Sequence, residues 1–178
     1  MRATAIPFAV SALCAALLLT ACDDGGSGGG TDDGGEAAPA GTACRLDEVG
    51  VQVEASPAPA AGDTGTVSVV LTNNGSSCTL DGFPTVTLAA GTTTADVPHD
   101  QAAAAQQVTL AQGATASFTV TYARGEAGGA QSLAAEKATF ALPGDSATHG
   151  FPWSYGEVAL EGEGAPDASV TPFQQAGD

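Results

Sequence analysis

Positive charge is scarce in this sequence. Four Lys and Arg stand against 20 Asp and Glu, for a formal charge of −16. Arg2, Arg45, Arg124 and Lys137 are the basic residues. A surface this acidic repels phosphate backbones, so nucleic acid is excluded as a partner. Aromatics are only 5% of the chain, which leaves Val, Leu and Ala to build any core. Metal-site ligands are also thin. The one Met is Met1, and the two histidines, His99 and His149, each stand alone in polar sequence that reads as loop. Neither a Gly-x-Ser-x-Gly elbow nor a His-Glu-x-x-His motif occurs. The expectation is a protein that is not an enzyme, with no catalytic residues, no cofactor and no metal. Glycoside chemistry on a carboxylate pair stays open, because any acidic protein has candidates. A calcium site from Asp63, Asp81 or Asp145 has no support from spacing.

What is present begins with an export leader. Arg2 and the amino terminus make a small positive region. Ile6 to Leu19 is apolar apart from Pro7 and Ser11, the length of a signal peptide and short for a membrane span. It ends in Leu19-Thr20-Ala21-Cys22, which resembles a bacterial lipobox. Small residues before the cut let a peptidase reach the backbone, and the Cys22 sulfur takes a diacylglyceryl group. Two acyl chains meet the requirement for stable anchoring. Residues 1–21 are therefore expected to be a lipoprotein signal peptide. Cys22 is the lipidation site, and lipid membrane is the partner it engages. The address is the outer face of the cytoplasmic membrane. The alternatives are a plain secretory signal or an uncleaved anchor. Cys14 lies inside the apolar stretch and has no role of its own.

Residues 22–43 hold the lipidated Cys and a tract of Gly, Asp, Ala and Thr with little to bury. This reads as a disordered spacer of roughly 25 Å root-mean-square span. Its two Asp-Asp-Gly-Gly runs lack the ligand spacing of a calcium loop.

From residue 44 the pattern changes to period two. Val49, Val51 and Val53 alternate with polar residues or Gly, as do Val67, Val69 and Leu71. Val86 with Leu88, Val108 with Leu110, Ala138 with Phe140 and Leu142, and Val158 with Leu160 follow suit, and Val170 comes near the end. The longest case sets Ala116, Phe118, Val120 and Tyr122 against Thr115, Ser117, Thr119 and Thr121. Alternation rich in Thr and Val predicts half-buried antiparallel strands. Seven to eight short strands, with turns at Asn73-Asn74-Gly75, Asp81-Gly82, Gln112-Gly113 and Pro143-Gly144-Asp145, predict an all-β, immunoglobulin-like β-sandwich over residues 44–173. Residues 174–178 are a tail. Ala102 to Gln106 and Ser132 to Lys137 are the only stretches with helical character.

Two cysteines fall in this domain, Cys44 and Cys78. Outside the membrane an even count predicts a disulfide, here from the segment entering the first strand to the loop after the second. A thiol site for metal or redox work is the competing reading. It lacks a Cys-x-x-Cys pair and a nearby His.

These residues also carry a resemblance. Leu71-Thr72-Asn73-Asn74-Gly75, then Cys78-Thr79-Leu80-Asp81-Gly82-Phe83-Pro84, then Leu110-Ala111-Gln112-Gly113 with Ala116, resemble the actinobacterial "domain of unknown function 4232" family of secreted proteins and lipoproteins. The likeness covers about residues 44 to 173. It implies a sandwich fold and an exported address, and no activity. Many members carry a second cysteine pair in the C-terminal half, which this sequence lacks; Phe140, Phe151 and Trp153 stand where packing could replace it.

Residues 151–156 form the one aromatic cluster. Trp153 and Tyr155 there are candidates for a contact surface that stacks on a sugar or peptidoglycan strand, or else a covering for the sandwich. The functional expectation is a membrane-anchored, non-catalytic module binding an unidentified protein or cell-envelope polymer through its loops. The alternative is a solute- or cation-binding lipoprotein that uses its acidic surface.

Overall fold

The computed structural model describes residues 41–162 and 164–175. The leader, Cys22, the spacer up to residue 40 and the last three residues lie outside the described part. Fourteen strands follow in chain order among the described residues. The first seven are β1 (Val49–Ser56), β2 (Thr64–Asn73), β3 (Cys78–Asp81), β4 (Thr85–Ala90), β5 (Thr93–Val97), β6 (Gln107–Leu110) and β7 (Thr115–Ala123). The rest are β8 (Ser132–Leu133), β9 (Lys137–Ala141), β10 (Thr148–Pro152), β11 (Val158–Glu161), β12 (Ala165–Pro166), β13 (Ala168–Val170) and β14 (Gln174–Gln175).

The two longest alternating runs become neighbours. β2 and β7 pair antiparallel with Val67 opposite Val120 and Val69 opposite Phe118. One sheet has the order β1-β2-β7-β13, with β14 also on β7. The other has the order β10-β9-β4-β5. Partners distant in sequence, β2 with β7 and β4 with β9, mark Greek-key connections. The result is the expected antiparallel β-sandwich of immunoglobulin-like kind. Two smaller sheets, β3-β6 and β12-β11-β8, complete it.

Period-two sequence explains the layering. Every second residue of β2 and β7 is buried, and the Thr and Ser between them face outward. Leu88 of β4 and Phe140 of β9 supply the opposing inner face. The sheets meet where Phe118 packs edge-on against Phe140, 5.2 Å between ring centroids, and against Phe173 at 5.8 Å. The first-half motif has its own packing reason. Asn73 ends β2 as the one fully buried polar side chain among the described residues. Its Nδ2 donates to the carbonyls of Ser76 (2.8 Å), Leu110 (3.0 Å) and Ala111 (3.3 Å). Its Oδ1 accepts from Gly75 N at 2.9 Å. One amide thus holds two loops together.

Several expectations need correction. Fourteen strands replace seven to eight, because β5, β10 and the shortest strands bury at most two side chains each and leave little periodic trace. Ala102 to Gln106 forms no helix. A run this short cannot meet the nucleation cost, and Asp100 turns the chain instead by accepting from Ala102 N. Ser132 to Lys137 is not a helical turn either. Leu133 is buried within β8, which pairs with β11, and Lys137 opens β9. Past residue 173 the ladder continues, since Gln174 pairs with Ser117. At the start, Thr79 N already donates to Thr42 O.

Candidate functional site

The loops at the far end of β7 converge on Arg124. Its backbone extends the ladder by one residue: Arg124 N donates to Asp63 O, and Gly62 N donates to Arg124 O. The half-buried side chain turns across the β1–β2 connection. Nη1 donates to Ala58 O at 2.7 Å and Pro59 O at 3.1 Å. Tyr122 supports the same loops from the core. Its hydroxyl donates to Tyr155 O at 2.7 Å and accepts from Ala58 N at 3.4 Å. Gly156 lies against the guanidinium with φ of 96°, and a Cβ there would stand 2.8 Å from Arg124 Nε. Only glycine combines that backbone with that approach.

Two clefts adjoin here and share Ala61, Arg124, Gly125 and Glu126. The larger is about 490 Å³ and is completed by Gly129, Gln131 and Ser132 among others. The smaller is about 220 Å³ and reaches Pro59 and Glu157. Most of the lining is Gly and Ala, so backbone is close to the surface. Glu157 Oε1 accepts from Gly128 N at 2.9 Å and fixes the 125–131 loop.

The Arg124 guanidinium is only partly engaged. Arg124 Nε and Nη2 have no protein partner among the described residues, and neither atom is buried. The one ion pair among the described residues is Arg45 with Asp47, 3.1 Å apart on the surface and outside both clefts. Among the described residues Arg124 therefore has no carboxylate within 4.0 Å, although Glu126 is two residues away and lines both clefts. A guanidinium with free edge donors is a fork suited to a carboxylate. Sequence reasoning counted Arg124 as one cation among few and missed its role. The one available signal was a lone Arg directly after the longest alternating strand.

The residues singled out from sequence fall elsewhere. Cys22 is outside the described residues. Cys44 and Cys78 form a disulfide, both buried, at the opposite end of the sandwich. Cys78 begins β3 rather than lying in a loop, and Cys44 N donates to Thr79 O beside it.

The aromatic segment is packing rather than platform. Trp153 is 5% exposed, edge-on to Tyr122 at 5.0 Å and Tyr155 at 5.1 Å, and its Nε1 donates to Gly156 O. An indole enclosed this way has no free face for a sugar. Tyr155 is half-buried. Phe140, Phe151 and Trp153 all join the core in the half without a second cysteine pair.

The histidines are not isolated in loops. His99 stacks on Phe83 with centroids 4.4 Å apart, and His149 lies within β10 beside Phe140. Asp145 serves the backbone: it accepts from Ala147 N at 3.0 Å and Leu46 N at 2.8 Å. The bond from Ala147, then that from Leu46, hold its carboxyl below the ordinary 3.8. Asp63 likewise accepts from Ala60 N in its own turn. Among the described residues no three of His, Cys, Asp and Glu gather as a metal would need.

A family model described as "Domain of unknown function (DUF4232)" matches residues 44–174. Comparison with curated proteins gives no match.

Proposed function

The chain belongs to the domain of unknown function 4232 family, and from that premise we propose that it is a non-catalytic binding module. In this reading, lipidated Cys22 holds the module at the outer face of the cytoplasmic membrane. Its ligand is a protein or cell-envelope polymer taken at the loop end of the sandwich. The observation that carries the binding half is the pair of clefts around Arg124, whose Nε and Nη2 have no partner among the described residues. Loops on a rigid sandwich are where such folds place recognition. The address draws support from the Cys44–Cys78 disulfide, which belongs to an oxidising compartment.

Two measurements test the reading. The full-length protein should partition with membranes and take up labelled fatty acid, and Cys22→Ala should lose both. The same protein should co-sediment with isolated cell-envelope polymer from its own source. A Cys22→Ala protein that stays equally membrane-bound overturns the anchor. Absence of co-sedimentation across a range of salt removes the polymer as ligand.

A further inference from the structure

We propose that the cleft between Arg124 and Glu126 binds a zwitterion of the amino-acid or short-peptide class. Arg124 takes the ligand's carboxylate and Glu126 its ammonium. The two residues are separated only by Gly125, which is buried, and both line both clefts. Yet their charged groups are not within 4.0 Å of each other. Opposite charges that face one cleft without neutralising each other are both satisfied by a ligand that brings the complementary pair.

Other ligand classes fit less well. A polyanion or a phosphate dianion meets Glu126 and Glu157 as well as the chain's net charge of −16. A simple cation meets the Arg124 guanidinium. A neutral sugar leaves both charges unpaired in a partly desolvated cleft. Arg124 is also preorganised for the role. Two backbone carbonyls fix Nη1, so little rotamer freedom is left to lose on binding. Gly156 sets no side chain of its own against Nε, where a Cβ would stand 2.8 Å away.

This inference rests on the reading of the domain as a binding module and is independent of the lipid anchor. Its test titrates the full-length protein, in detergent micelles, with dialanine. The comparison ligands are N-acetyl-dialanine, dialanine amide and free alanine, read by amide NMR shifts and calorimetry. Dialanine should shift the amides of Gly125, Gly129 and Ser132. Blocking either terminus should weaken binding at least about tenfold, the loss of one charge-assisted contact. Glu126 is exposed, so Glu126→Gln should keep the fold and bind dialanine and N-acetyl-dialanine alike. Arg124→Gln should abolish the preference for a free carboxylate. Since Arg124 also props the β1–β2 loop, Glu126→Gln decides the matter if that variant does not fold. Equal binding of alanine and dialanine supports a free amino acid as the source, and tighter dialanine supports a peptide. No shift with millimolar dialanine, or blocked forms that bind as well as free ones, overturns the proposal. Envelope co-sedimentation reports separately on the broader reading, so either result can fail without the other.

Discussion

Replacing Asn73 with alanine removes the amide that joins the β2–β3 turn to the β6–β7 turn. The side chain is 0% exposed, so nothing but its present partners satisfies it. Its two closer donor contacts, to Ser76 O and Leu110 O, and its accepted bond from Gly75 N are well formed. The 3.3 Å contact to Ala111 O shares a hydrogen and is weaker. At about 1 kcal/mol net for each good bond, the alanine variant should lose about 3 kcal/mol. Asn73→Asp keeps the shape but turns an acceptor toward two or three carbonyl oxygens. It should lose more than alanine does at neutral pH. The new carboxyl should have a raised pKa, because burial and the facing oxygens favour its protonated form. A raised folded-state pKa in an acid adds stability as pH falls, so the aspartate variant should recover in mild acid while the alanine variant does not. Urea unfolding with the disulfide intact, followed by circular dichroism at neutral and mildly acidic pH, gives both numbers. A loss below about 1 kcal/mol for alanine, or aspartate milder than alanine at neutral pH, refutes the account of Asn73 as a buried staple.

Three further outcomes are expected. Removing the disulfide with Cys44→Ala and Cys78→Ala together should cost about 4 kcal/mol for a closed loop of 34 residues, measured as a lower urea midpoint. Reductant should leave that double variant unchanged while weakening the parent. Trp153 is the sole tryptophan, so its fluorescence should be blue-shifted in the native state. Trp153→Ala should lose about 3–5 kcal/mol, whereas an exposed stacking ring would cost almost nothing. Asp145→Asn should reduce stability at neutral pH and converge with the parent in acid. The depressed folded-state pKa makes the aspartate's contribution complete above 3.8 and lost as pH falls through the lower folded value. Parallel unfolding curves from pH 7 to pH 2 check this.

The strands legible in the sequence are those that bury a whole face. β2 and β7 each place four consecutive alternate side chains in the core, and their period could be read directly. β10 buries only Phe151 and contains Gly150 and Pro152, so its residues read as a loop or an edge strand. β5 sets Ala95 and Val97 inward between Thr and Asp, a weak apolar signal that its pairing with β4 makes sufficient. The motif around Asn73 was visible as a turn. That its first Asn points inward depends on carbonyls 37 and 38 residues away, which no local pattern encodes. The cleft was hidden for the same reason. Arg124, Glu126, Pro59 and Gly156 come from three separate connections, and only the closed sandwich brings them together. The aromatic segment was conspicuous for its composition, and its burial beneath the loops could be read only from its neighbours.

Residue 44 is where chain entering the domain meets its covalent bond to Cys78. Tension transmitted through the preceding segment therefore reaches β3 directly and bypasses the ladder between β1 and β2. Peeling β1 from β2 under load releases no length between those two cysteines. The 34 residues they enclose, roughly 120 Å when fully drawn out, stay out of the extensible chain. The cleft at the opposite end of β7 would keep its shape under a pull applied at Cys44.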